Sequence, residues 1–188
     1  FFSFYCSYHK AGDGGKEKDL KMNKIKILFE DNDILVLDKP SGITVNRSDT
    51  TKGEETVQDF IENQFLFFNF QSSKDKESDF YKRAGIVHRI DKETSGILLV
   101  AKNLQAFENL QKQFKDRVIK KTYLALSHGK VVPETGEINV PVGRLPWNRK
   151  KFGVLSGGRE AITKYKVLST KYLIYGKEEE QMSFLELY

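Results

Sequence analysis

The sequence predicts an α+β domain built on a mixed, largely antiparallel sheet flanked by helices. Short apolar runs rich in β-branched residues recur along the chain, among them Ile34-Leu35-Val36-Leu37 and Gly96-Ile97-Leu98-Leu99-Val100-Ala101. Such runs read as buried strands. Two other segments carry apolar residues at helical spacing: Val57, Phe60, Ile61 and Phe65, then Leu104, Phe107, Leu110 and Phe114. At 188 residues, with 39% hydrophobic content and 14 phenylalanines, the chain has enough apolar material for one packed domain, which excludes a wholly disordered protein.

The first 23 residues differ from the rest. The chain starts with Phe1, and FFSFYCSYHK lacks the basic start and long apolar core of a signal peptide. Ala11 to Asn23 is rich in glycine and charge. Residues 1–23 are therefore expected to be a disordered extension and linker, with the folded domain over 24–188. GDGGKEK does not fit phosphate-loop spacing and no strand precedes it, so a nucleotide site is rejected. The single cysteine, Cys6, permits no disulfide within the chain. The three histidines (His9, His88, His128) are scattered, so no metal-ligand spacing exists. No apolar run approaches the length of a membrane span. A reducing, cytoplasmic setting is expected.

From Ile25 the elements follow in order. Ile25 to Phe29 is a strand, Glu30 to Asp33 a turn, and Ile34 to Leu37 a second strand stopped by Pro40 and Gly42. Helices are expected over about 54–66 and after Lys102, the second with Asn103 as N-cap. QSSKDKESD (71–79) reads as a solvated loop. Thr122 to His128 alternates strictly and is a strand. Glu137 to Val142 is a strand, at an edge because of Pro141. Gly143 to Gly158 reads as a basic loop that sets Arg144, Arg149, Lys150 and Lys151 around Trp147 and Phe152, a composition suited to RNA. Ala161 to Leu168, Tyr172 to Tyr175 and Met182 to Tyr188 are the last strands.

The chemistry is concentrated in Gly85 to Lys102. Gly85-Ile86-Val87 and the run from Gly96 flank the polar segment His88-Arg89-Ile90-Asp91-Lys92-Glu93-Thr94-Ser95. A charged loop between two buried strands is costly unless its groups are paired or working, and rigid strands suit a functional loop. Asp91 alone reads equally well as a turn aspartate or as a catalytic carboxylate. Arg83 lies just before the motif and is a candidate phosphate contact. Lys112, Lys115, Arg117, Lys120 and Lys121 crowd the end of the second helix, more cations than the helix dipole requires. Net charge is +5 with pI about 9.1, compatible with a polyanionic partner.

The fifteen residues HRIDKETSGILLVAK resemble the signature of RluA-type pseudouridine synthases, HR-[LI]-D-x-x-T-S-G-[LI]-L-L-x-A-K, almost position for position. ILFEDNDILVLDKPSGITV resembles the family's first motif, with Asn46 where histidine is usual. KTYLALSHG resembles its K-x-Y-x-A-x-x-x-G motif, and GREAITKY follows the G-[KR]-x-A-x-T-x-[YF] pattern. The resemblance implies a pseudouridine synthase-like fold with a central catalytic cleft. It implies Asp91 and Tyr123 as catalytic residues, and His88, Arg89, Thr94 and Lys121 as substrate-binding or loop-shaping residues, with Lys39-Pro40 in the cleft floor. Family members continue into a T-G-R-[TS]-H-Q-[IL]-R segment whose arginine contacts the aspartate. These residues contain no such segment, so an incomplete catalytic domain is expected.

The implied reaction breaks the N-glycosidic bond of a uridine and remakes it at carbon 5 of the same base. No redox step or outside group enters, so no cofactor is expected. A carboxylate must act at the ribose, as nucleophile at C1′ or as base at C2′. Tyr123 would stack on the base, and Arg89 would fill the gap left by a flipped nucleotide. The implied partner is structured RNA, ribosomal RNA first and transfer RNA second, with no membrane and no obligatory protein partner, on a monomer. Two alternatives compete. Asp91-Lys92-Glu93-Thr94 resembles the nucleophile loop of haloacid-dehalogenase-type phosphotransferases, but His88-Arg89 interrupts the apolar approach such a loop needs. The other is a basic module that binds RNA without turning it over.

Overall fold

In the computed structural model of the chain, residues 3–5, 25–48, 53–64, 78–175 and 178–188 are described. The chain divides into two compact units, Phe1–Lys121 and Thr122–Tyr188. Strand β1 (Ser3–Tyr5) falls within the stretch read as an extension; Cys6 and the glycine-rich linker lie outside the described residues.

The first unit is built on an antiparallel sheet of order β2 (Lys26–Glu30), β3 (Ile34–Lys39), β4 (Gly96–Ala101). The expected hairpin forms β2 and β3. Its turn is fixed by Asp31, whose carboxylate accepts from the backbone N–H groups of Asp33 and Ile34 at 2.8 and 2.7 Å. Those two bonds hold that carboxyl below the usual carboxylate range. Leu35, Val36 and Leu37 are all buried, as are Leu98 and Val100. Continuous rather than alternating burial means that both faces of these strands are covered, which is why the sequence shows unbroken apolar runs. Register runs from Ile34 opposite Ala101 to Lys39 opposite Gly96. This pairing puts the end of the first motif beside the start of the strand that follows the central loop.

Helix α1 (Val57–Gln64) buries Val57 and Ile61, as its spacing predicts; Phe65 lies outside the described residues. Helix α2 (Asp79–Lys82) is capped by Ser78, whose hydroxyl accepts from the N–H of Tyr81. Helix α3 (Leu104–Lys115) has the predicted N-cap: Asn103 accepts from the N–H of Ala106 at 2.8 Å. Phe107 is its buried anchor, packed with Phe80, Val87 and Ala101, and Phe80 meets it edge-on at 5.3 Å. Leu110 and Phe114 pack beside this cluster, but Leu104, the first residue of the helix, is exposed.

The second unit is a sheet of order β5 (Thr122–His128), β9 (Glu178–Leu187), β8 (Arg159–Tyr175), β6 (Thr135–Leu145), β7 (Asn148–Val154). Within each unit every described ladder is antiparallel. A parallel bridge joins Thr44 and Thr56. The expected α+β, largely antiparallel architecture is what the structure shows, on two sheets rather than one.

Three expectations change. The basic loop over 143–158 is mostly a hairpin: β6 runs on to Leu145, turns at Pro146-Trp147 and returns as β7. Strand β6 is therefore interior, with β7 on one side and β8 on the other. Pro141 is tolerated because β7 pairs only with Val142 to Leu145. The carbonyl of Pro141 accepts from Leu155 on that same side, so its missing N–H faces a position where no strand asks for a donor. The two strands expected over 161–168 and 172–175 are one, β8, whose polar Ser169-Thr170-Lys171 continues the ladder after a bulge between Val167 and Ser169. Among the described residues no helix is long and apolar enough to cross a membrane.

Candidate active site

The central motif begins where the chain leaves the sheet. After α2, Ala84 and Gly85 adopt left-handed conformations with φ of 49° and 72°. The N–H of Ala101 donates to Gly85 O at 2.8 Å, and Ile86 bridges Val100. The strand expected over 85–87 is this single bridge. Two residues further on, His88 Nε2 accepts from the backbone N–H of Leu99 at 2.9 Å. An imidazole has taken the ladder position that a third strand residue would fill. This lets the backbone turn away into the loop without leaving an edge donor unpaired.

That bond requires the neutral tautomer of His88 with its proton on Nδ1. The ring is also stacked on Phe114, centroids 4.6 Å apart. Burial, and then the charge of Lys121, push His88 down to about 4. The sign follows: the unfolded chain takes up this proton below its ordinary 6.5 and the folded chain does not. The stabilising contribution is complete above pH 6.5 and is lost as pH falls towards 4, by at most about 3 kcal/mol. Urea unfolding at pH 7 and pH 4.5 is expected to show this loss, and His88→Gln, which keeps an acceptor but no titration, is expected to flatten it. An equal pH dependence in the variant would remove His88 as the cause.

Asp91 stands at the exposed end of the loop. Its carbonyl accepts from the N–H of Thr94 at 3.1 Å, closing a turn that aims the side chain outward. The next two carbonyls are held from beneath by the first motif. Lys92 O accepts from Gly42 N at 2.8 Å and from Lys39 Nζ at 3.1 Å, and Glu93 O accepts from Ser41 Oγ at 2.8 Å. Lys39 is fully buried, and its amine also donates to Pro40 O and Ile43 O at 2.9 and 2.8 Å. Three donors meet three carbonyls, which is how a buried ammonium is satisfied without a paired carboxylate. Burial pushes Lys39 down to about 8, and the nearby Glu93 and Asp91 carboxylates draw it partly back. The sequence placed Lys39-Pro40 near the site but gave no sign that the amine ties the two motifs together. The one available signal was a lysine ending an apolar strand just before proline. On the outer side Lys92 pairs with Glu54 at 2.8 Å, an exposed contact of small energetic weight.

His88, Arg89, Asp91 and Thr94 thus share one loop. Arg89 is exposed beside Asp91. Thr94 acts on the loop through its backbone. Lys121, exposed, ends the first unit, and its charge acts on His88. Tyr123 is half-buried on β5 in the second unit, opposite Leu187, which itself lies opposite Tyr165. Arg83 caps the C-terminus of α2 through its backbone. Asn46, at the family's histidine position, sits 3.4 Å from Gln58 Oε1. Among the described residues no group of three or more His, Cys, Asp or Glu side chains is placed to hold a metal.

The family model described as RNA pseudouridylate synthase matches residues 33–188. An uncharacterised RNA pseudouridine synthase of Aquifex aeolicus is 41% identical over 145 residues, 77% of this chain and 43% of that protein. Ribosomal large subunit pseudouridine synthase D of Nitrosomonas europaea is 38% identical over 144 residues, again 77% of this chain and 38% of that protein. The chain belongs to the RNA pseudouridylate synthase family. It spans about two fifths of the length of these relatives. Human RNA pseudouridylate synthase domain containing 1 shares the fold, with a TM-score of 0.62 at 22% identity over 95% of this chain and 62% of that one.

Proposed function

We propose that this chain supplies the catalytic loop of an RNA pseudouridine synthase that isomerises uridine in ribosomal RNA, with Asp91 as the catalytic carboxylate. The observation that carries the reading is the construction of the loop: an exposed carboxylate on a backbone tied down at residues 91, 92 and 93 by the N–H groups of Thr94 and Gly42, the buried Lys39 amine and the Ser41 hydroxyl. A group that must attack or deprotonate a ribose needs this fixed placement. In the reaction the N1–C1′ bond breaks, the C5–C1′ bond forms, C5 loses a proton and N1 gains one, so atoms balance without a cofactor. Arg89 occupies the space of the flipped nucleotide, Lys121 contacts phosphate, and His88 and Thr94 keep the loop in shape. Tyr123 meets the base. The name of the Nitrosomonas europaea relative supports ribosomal RNA as the substrate; a cytoplasmic setting and the absence of an obligatory protein partner are part of the same reading.

The test is pseudouridine formation by the full-length gene product on ribosomal RNA from a synthase-deficient bacterium, read as carbodiimide-dependent primer-extension stops. New stops at one or a few uridines are expected. Binding of that RNA with no stops on it, or on transfer RNA, would favour the non-catalytic RNA-binding reading.

A further inference from the structure

The β6–β7 hairpin is not used by the reaction as described, and its composition is unusual. From Gly143 to Arg159 the sequence holds five cations (Arg144, Arg149, Lys150, Lys151, Arg159) and no carboxylate. The register sorts the side chains by face. Arg144 lies opposite Phe152, Val142 opposite Val154, and Val142 again opposite Arg159 on the other side. Residues directly opposite in antiparallel strands share a face, so Arg144, Phe152, Val154 and Arg159 form one surface. Glu160, next in sequence, falls on the other face. The guanidinium of Arg144 sits 4.7 Å over the Phe152 ring. At the tip, Trp147 is 76% exposed, and Phe152 and Val154 are 61% and 66% exposed. Large apolar groups left in water this way, within a cationic surround, mark a contact surface.

We infer that this hairpin face binds an unpaired segment of RNA, with Trp147 and Phe152 as stacking platforms for bases and Arg144 and Arg159 as phosphate contacts. The inference rests on the RNA reading above and adds to it the surface and the form of RNA recognised. Unpaired RNA fits better than duplex, because a duplex already stacks its own bases and offers no ring to Trp147. Arg144 lies over one face of the Phe152 ring, so a base stacks on the ring's other face or on the guanidinium plane, whose N–H groups are left to meet a phosphate. An acidic peptide would answer the charge but leave the flat exposed indole without a planar partner.

Trp147 is the chain's one tryptophan, so its fluorescence reports this site alone. The 188-residue chain would be titrated with a fluorescein-labelled twelve-nucleotide oligouridylate, binding being followed by anisotropy and stacking by quenching of the tryptophan. A twelve-base-pair RNA duplex is the comparator. The oligouridylate is expected to quench Trp147 and to bind more tightly than the duplex. Trp147→Ala is expected to weaken its binding about tenfold, and Trp147→Phe to restore most of it. Raising salt is expected to weaken binding in every form. Binding by anisotropy with unchanged fluorescence, or an alanine variant that binds as well as the parent, would overturn the hairpin inference and leave the RNA reading standing. Failure to bind either RNA would overturn both.

Discussion

Asp91→Asn is expected to lower pseudouridine formation by at least about a thousandfold in kcat/KM while leaving the fold unchanged. An amide oxygen is neither a nucleophile towards C1′ nor a base towards C2′, so the substitution removes the chemistry under either role. The shape is kept, since asparagine is isosteric with aspartate. The loop is held by main-chain atoms of residues 91 to 94 and by the side chains of Lys39 and Ser41, none of which changes. Asp91 is also exposed, and such sites contribute within about 0.5 kcal/mol to stability when substituted. One small consequence is internal: losing this carboxylate removes one of the two charges that draw the Lys39 ammonium back up. The measurements are the rate of product formation and the urea midpoint of the same preparation. A variant within tenfold of the parent would transfer the carboxylate role elsewhere, with Glu93, two residues on, the first to be tested. A variant both inactive and unfolded would show that the carboxylate is part of the loop's support, contrary to the arrangement described here.

What the sequence revealed follows from how local each signal is. Asp91, Arg89 and Thr94 sit within a few residues of one another, so one short motif carries the loop. The caps at Asn103 and the turn at Asp31 are equally local. The tie from Lys39 to Lys92 spans 53 positions, and nothing nearby in sequence marks it. The β6–β7 hairpin reads as a loop in sequence, because its cations and glycines break any alternating pattern. Here two of the glycines mark crowding: a Cβ on Gly158 would lie 2.7 Å from the Val142 carbonyl carbon, and one on Gly153 would lie 2.9 Å from Leu145 Cδ2. The turn itself is Pro146-Trp147, which lacks the Asn-Gly type of signal. In strand β8 the polar Ser169-Thr170-Lys171 interrupts the apolar pattern in sequence, yet it pairs as well as an apolar stretch because its neighbour is in place. His88 was marked by resemblance, but its function as a substitute ladder acceptor depends on where Leu99 lies, and that is set by the sheet.

Gly85→Ala is the second large effect, expected to destabilise the chain by about 2–4 kcal/mol. Two independent causes add. At φ of 72° any Cβ is strained, by about 1 kcal/mol relative to glycine. The larger cause is contact: a Cβ here would lie 2.1 Å from the carbonyl oxygen of Ala101, a backbone atom, and 3.2 Å from Val100 Cγ1. A flexible side chain could swing aside, but the Ala101 carbonyl belongs to β4, which is buried and paired to β3. Relief must come from moving residue 85 outward, and that breaks the bond from the Ala101 N–H to Gly85 O and disturbs the Ile86–Val100 bridge. The disturbance runs directly into His88, whose ring must stay over the Leu99 N–H, so the loop carrying Asp91 loses its register with the sheet. Activity is therefore expected to fall together with stability, unlike the Asp91 variant. Gly53→Ala is the control: φ there is also positive, at 80°, but nothing lies within 4 Å of the added Cβ, so about 1 kcal/mol of strain is all that is expected. Equal urea midpoints for the two variants would mean that β4 yields to the added methyl group, and that the close approach of Gly85 is not what holds the motif to the sheet.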